Sequence, residues 1–314
     1  MNILLLGGCG YVGTVLANEL LRLGHHITVV DTMWFGNYLK DNPNFNIINA
    51  DIRDVDKIPF DKTEVVVHLA NIANDPTGDL NPKLTWEVNV LASMSLIEKA
   101  IANNVKQFIY ASSGSVYGVS DEPQVTEELP LVPITDYNKT KMISERVLLS
   151  YKDKICVQII RPATVCGYSP RMRLDLSVNM LTMQALTNKK ITVFGGEQTR
   201  PNIHIKDLIN VYLHFINSGE KFKGIFNAGF ENISILDIAN KVTCIIPAEI
   251  VISESNDPRS YRLNSEKLLS TGFNPILTVN DAIKEIIEMF EQGILKDEEK
   301  YYNIKTMKKL SHIF

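Results

Sequence analysis

The sequence predicts an α/β fold in which a doubly wound parallel sheet carries a smaller, mixed lobe toward its C-terminal end. Three observations predict it. Six short apolar runs, rich in β-branched residues, alternate with helical patterns through the first half of the chain. Those runs lack the apolar–polar alternation of a sheet with one wet face, so both faces are covered, as in parallel sheets. After about residue 165 the regularity loosens into mixed strand, loop and helix signals.

The six runs are NILLLG, HITVVD, FNIINAD, EVVVHLA, KQFIYAS and CVQIIRP. Between the first two, Val12, Val15, Leu16, Leu20 and Leu23 recur at helical spacing, and Gly24 supplies a C-terminal stop. A second helix is expected from about Pro82 to Ala102, and a third across PITDYNKTKMISERVLL. Beyond them, RPATVCGYSPRMRLDLSVNMLTMQAL mixes a loop with a helix, and ITVFGGEQTRPNIHIKDL reads as strand, turn and helix start. The last clear helix aligns Val279, Ala282, Ile283, Ile286, Ile287 and Phe290 on one face. The expected divisions are a sheet domain over 1–165, a second lobe over 166–290 partly interleaved with it, and a charged, peripheral tail over 291–314.

With 314 residues, 45% hydrophobic and 22% charged, the chain has ordinary globular composition. A net charge of −4 and the lack of a basic cluster argue against a nucleic-acid partner. No stretch approaches the ~18 uninterrupted apolar residues of a membrane span. The opening MNILLLGG carries neither a basic leader nor a cleavage site, so a cytoplasmic protein is expected. Cys9, Cys156, Cys166 and Cys244 form no CxxC pair and read as reduced thiols. No His, Cys and carboxylate cluster has metal-ligand spacing, and no metal is expected.

LLLGGCGYVGTVLANEL places Gly7, Gly10 and Gly13 at G-x-x-G-x-x-G spacing, after a buried strand and at a helix start. Such a turn brings backbone close to a phosphate, and the helix N-terminus offers unpaired N–H groups to a diphosphate. The second strand ends in Asp31, which can accept from both ribose hydroxyls of NAD and would repel the 2′-phosphate of NADP. The pattern therefore points to a Rossmann-type dinucleotide site that takes NAD. Tyr137 and Lys141 stand four apart in YNKTK, adjacent turns about 6 Å apart along a helix axis. A lysine there would favour the phenolate and turn a weak phenol into a general base. Tyr301 and Lys305 repeat the spacing in the tail without comparable surroundings, so spacing alone does not decide.

From Gly7 to about Pro275 the motifs, in their order, resemble the extended short-chain dehydrogenase/reductase superfamily in its nucleotide-sugar epimerase/dehydratase branch. GGCGYVG is similar to the family's phosphate loop, which implies cofactor contacts from Gly7, Gly10, Tyr11, Val12 and Gly13. NADIRD matches the segment that meets the adenine, here Asp51 and Ile52, and VVHLAN the strand that lines the ribose, here Leu69 and Ala70. YASSGSVYG followed by YNKTK resembles the catalytic Ser…Tyr-x-x-x-Lys arrangement. It implies Tyr137 as base and Lys141 as phenolate partner and nicotinamide-ribose ligand. Ser113 would then hydrogen-bond the reacting oxygen, with Ser115 a second candidate. Arg200 and Arg259 match the two arginines that clamp a substrate diphosphate, and Asn179 a diphosphate-side asparagine; Arg171 and Arg173 are further basic candidates.

The stretch Ser113-Gly114-Ser115 lacks the acidic pair of the family's dehydratases, which disfavours elimination. Thr164 and Cys166 replace the usual asparagine and tyrosine, and the loop NIANDPTGDLNP is unusual; both departures are expected beside the nicotinamide and sugar. Taken together, NDPTGDLNP, SPRMRLDLSVNML and DPRSYRLNSEKL look most like a bacterial subset acting on surface-polysaccharide sugars, nearest to the NAD-dependent C4 dehydrogenases of GDP-manno-heptose in capsule pathways. The resemblance thus implies NAD-dependent oxidation at C4 of a nucleotide-diphosphate sugar, GDP-linked, by a homo-oligomer. The alternative is a 4-epimerase with a transient C4 ketone. A non-catalytic NAD-sensing protein is the more distant one, and such proteins commonly lose the tyrosine or lysine that this chain keeps.

Overall fold

The computed structural model describes residues 1–120, 122–254 and 260–310. In chain order its strands are β1 (Asn2–Leu6), β2 (His26–Asp31), β3 (Phe45–Asn49), β4 (Val65–His68), β5 (Gln107–Ala111), β6 (Cys156–Pro162), β7 (Thr164–Cys166), β8 (Lys190–Phe194), β9 (Thr199–His204), β10 (Gly224–Ala228), β11 (Glu231–Ser234) and β12 (Glu249–Ser253). The α-helices are α1 (Tyr11–Arg22), α2 (Asp75–Gly78), α3 (Pro82–Trp86), α4 (Ala92–Ala102), α5 (Asp136–Leu149), α6 (Ser177–Asn188), α7 (Ile205–Ser218), α8 (Ile235–Thr243), α9 (Glu266–Leu269), α10 (Val279–Glu291) and α11 (Asn303–Leu310).

Seven strands form the main sheet in the order β10-β6-β5-β4-β1-β2-β3, and every neighbour pairs in parallel. Leucines 4, 5 and 6 and valines 65, 66 and 67 are buried on both faces, the reason these strands read as continuous apolar runs. One face packs against α1 and α7 through Leu16, Leu20, Leu208 and Phe215, the other against α4 and α5 through Leu96, Ile97 and Leu148. Strand order reverses between β1 and β4, and a doubly wound sheet leaves a crevice there, beyond the carboxyl ends of its strands.

All six expected runs lie in this sheet. The seventh strand, β10, lies beyond residue 165 and re-enters at the edge beside β6, with Phe226 and Ala228 buried. The helix α1 ends one residue before Leu23, which leaves the buried stripe and is exposed, and Gly24 follows at φ +80°. From Pro82 to Ala102 the chain is helical throughout but widens into a π turn at Glu87–Leu91.

The second lobe contains a three-stranded sheet, β11-β9-β7, and a β12-β8 pair. Val178, Leu181, Ile238, Val242, Ala282 and Ile283 of α6, α8 and α10 share one core there. The helix α10 starts at a capping box in which Thr278 and Asp281 satisfy each other's backbone N–H groups. The segment after α10 corrects the expectation of a peripheral tail: Tyr301, Asn303 and Met307 are buried, and the Leu174 N–H donates to the Tyr301 carbonyl at 2.9 Å. Its apolar residues, diluted among charges, hid that packing. All four cysteines are free thiols. Among the described residues no helix is long and apolar enough to cross a membrane.

Candidate functional site

A cavity of about 630 Å³ opens where the sheet order reverses and extends into the second lobe. Gly7, Gly10, Tyr11, Val12 and Gly13 line one end, with Asp31, Asp51, Ile52, Leu69 and Ala70 beside them. A Cβ on Gly7 would stand 2.6 Å from the Ala70 nitrogen, and one on Gly13 only 2.2 Å from the Gly7 carbonyl oxygen. Only glycine lets this turn close so tightly on β4 and lets α1 start under it. No side chain caps α1 and no acidic residue occupies its first turn, so its positive end faces the cavity. Asp31 accepts the Cys9 and Met33 N–H groups at 2.9 and 2.7 Å. Burial pushes its carboxyl up, against those two bonds and the charge of Arg171. The cradle and its terminal carboxylate fit the phosphates and ribose of NAD. Asp51 shares this end, its carboxylate paired with Arg53 at 2.8 Å.

Tyr137 and Lys141 project from α5, capped by Thr135, whose hydroxyl accepts the Asn138 N–H. Both line the cavity, with Ser113 and Ser115 from the short turn after β5. The two serine hydroxyls lie 2.7 Å apart, and Ser115 donates to Asn138 Oδ1 at 2.5 Å. Lys141 donates to the Ala111 carbonyl at 2.7 Å and lies 5.8 Å from the centre of the Tyr137 ring. Burial lowers its ammonium to about 7, against the attraction of Glu145. Burial also pushes the Tyr137 phenol up to about 12, and Asp75 adds to that, while Ser113 and Arg173 pull it back.

At the second-lobe end, Arg200 on β9 lines the cavity with Gln198 and Phe194, and Arg259 lies outside the described residues. Arg171 and Arg173 border the cavity from the loop before α6. Arg173 makes two bonds to Asp175, at 2.9 and 3.1 Å. Asn179 stands behind the wall instead. Its amide oxygen accepts the Gly167 N–H, and its nitrogen donates to Tyr11 Oη and the Arg173 carbonyl. It holds the wall in place. Thr164 does face the cavity, whereas Cys166 is turned into the core of the second lobe, its thiol against the Ile203 carbonyl.

Asp75, Asn71 and Asn303 line the cavity without having been singled out. Asp75 stands at the start of α2, where it accepts the Thr135 hydroxyl, two residues from Tyr137. Its signal lay in the unusual loop NIANDPTGDLNP. The buried Asn89, inside the π turn, fixes that loop: it accepts the Ile72 N–H at 2.8 Å and donates to Thr140 on α5 at 3.0 Å.

Comparison with known proteins agrees with this geometry. The chain is 29% identical over 298 residues to UDP-glucose 4-epimerase of Lactobacillus helveticus, covering 85% of this chain and 89% of that protein. It is 27% identical over 313 residues to UDP-glucuronic acid decarboxylase 1 of Xenopus tropicalis, covering 93% of this chain and 73% of that one. Among solved structures, UDP-glucose 4-epimerase from Thermotoga maritima with UDP-glucose superposes with a TM-score of 0.83 at 25% identity, over 94% of this chain and 100% of that one. UDP-glucuronic acid 4-epimerase from Bacillus cereus, in complex with UDP-glucuronic acid and NAD, gives 0.81 at 28% identity, over 93% and 99%. The pattern described as "NAD dependent epimerase/dehydratase family" matches residues 3–229, more than half of the chain, which therefore belongs to that NAD-dependent enzyme family.

Proposed function

We propose that the protein is a nucleotide-sugar 4-epimerase acting on a UDP-linked sugar. The observation that carries this reading is that Tyr137 and Ser113 line the same cavity as the Gly7–Gly13 turn, with Arg200 at the opposite end. NAD, bound on that turn, supplies a reversible hydride acceptor. Tyr137 takes the proton of the C4 hydroxyl and later returns it, and Ser113 holds that oxygen while it is a ketone. Lys141 keeps positive charge beside the phenol, and Arg200 neutralises the substrate diphosphate.

Net oxidation of a GDP-linked heptose rests on sequence resemblance alone. The relatives and solved structures described above are named for UDP-sugars, most of them as 4-epimerases, and they favour inversion over release of a ketose. Incubating the purified protein with a panel of UDP- and GDP-linked hexoses, hexosamines, uronates and heptoses, followed by NMR, tests the proposal. The expected result is a C4 epimer of a UDP-sugar without net NADH. A stoichiometric keto sugar with NADH, or turnover confined to GDP-sugars, would overturn it.

A further inference from the structure

Arg171 is 2% exposed, and its guanidinium carbon lies over the Phe35 ring, 4.1 Å from its centre. Nη1 donates to the Met172 carbonyl at 3.0 Å and Nη2 to Asn303 Oδ1 at 2.6 Å, while Nε is buried with no acceptor. No carboxylate lies within ion-pair distance of it among the described residues, in contrast to Arg173, which pairs with Asp175. A guanidinium held this deep among neutral partners is costly unless an anion completes the site.

The loop that carries it is tied to the dinucleotide turn. Ser169 donates to the Tyr11 carbonyl at 2.8 Å, and Tyr11 Oη donates to the Gly167 carbonyl at 2.7 Å. Tyr11 opens α1, whose uncapped N-terminus faces the cavity. From the other side, the C-terminal segment clamps the same loop: Tyr301 accepts the Leu174 N–H, and the Asn303 N–H donates to Asp175 at 3.3 Å.

We infer that Arg171, held by Phe35 and Asn303, is a ligand of the NAD diphosphate and that the C-terminal segment sets it in place over the cofactor. This moves Arg171 from the substrate to the cofactor, and it is independent of whether the reaction is epimerisation or oxidation. The guanidinium would add a charged donor to the α1 N–H groups at the diphosphate.

Calorimetric titration of cofactor-free wild type, Arg171→Gln and Asn303→Ala with NAD, ADP, adenosine and UDP tests it. Arg171→Gln should bind NAD and ADP about 10- to 100-fold more weakly, as expected for a lost charged hydrogen bond, with adenosine and UDP unchanged. Asn303→Ala should show the same pattern, more weakly. Unchanged NAD and ADP affinity in folded Arg171→Gln overturns the inference. So does a loss confined to UDP, or one shared equally by adenosine and ADP. If Arg171→Gln does not fold, Asn303→Ala decides alone, and unaltered ADP binding by that variant is the contradicting result.

Discussion

Tyr137 starts from an unfavourable position for a base, because burial and then Asp75 drive its phenol up to about 12. Replacing Asp75 by Asn removes a like charge and should shift the alkaline inflection of the turnover–pH profile down, by about one unit. An unmoved or raised inflection would mean that Asp75 does not act on the phenol. Tyr137→Phe should lose roughly 10²–10⁴-fold in turnover while keeping NAD affinity, measured by single-turnover absorbance and titration. The glycine turn, Asp31 and the Tyr–Lys pair were legible because each is a local spacing on one strand, turn or helix. Asp75 was not, since no local spacing in the loop NIANDPTGDLNP places it beside Tyr137. Its approach to Tyr137 depends on Asn74 at φ 74° and on α2 packing against α5, where a Cβ on Gly78 would stand 3.2 Å from Tyr137 Cβ.

At the scale of elements, α5 must hold its face to the cavity. One turn beyond Lys141, Glu145 forms a bidentate pair with Arg161 of β6, at 2.9 and 2.6 Å, and both are almost fully buried. Arg161 also donates to Tyr117 Oη at 2.7 Å, and Tyr117 donates to Asn227 of β10. Glu145→Gln leaves the guanidinium without its counter-charge and should cost about 3–5 kcal/mol in urea unfolding. The double replacement Glu145→Leu with Arg161→Met should cost less than the single one. A single variant within about 0.5 kcal/mol of wild type would show that the pair does not anchor α5. The sequence marked α5 through YNKTK, but a bond between that helix and the strand that follows it carries no local periodicity. The same holds for Asn89, which reads as one polar residue in a long helix and instead joins the Asp75 loop to α5.

Over the whole molecule, the six runs before residue 165 showed the sheet, because strands buried on both faces announce themselves. The strand β10 did not, since GIFNA is short and follows a long excursion through the second lobe. The two parts are stitched further by Glu285 on α10, which accepts the Tyr168 N–H at 3.0 Å and pairs with Lys206 at 2.5 Å. Burial resists its ionisation, but His204, Lys206 and the Tyr168 N–H hold its carboxyl down at about 2. Because that lies below the unfolded value, the stabilisation is complete above about pH 4.5 and is lost as pH falls toward 2. Glu285→Gln should flatten the stability–pH curve in that window, as read by chemical unfolding at successive pH values; an unchanged slope contradicts the assignment.

The central claim is that hydride leaves and returns to the same sugar carbon above Tyr137. A UDP-sugar carrying deuterium at C4, supplied to enzyme loaded with NAD and freed of excess cofactor, tests this most directly. The account predicts a C4-epimeric product that keeps its deuterium, with no accumulation of NADH. Deuterium trapped in reduced cofactor beside a 4-keto sugar, or an epimer that has exchanged its label with solvent, would contradict it.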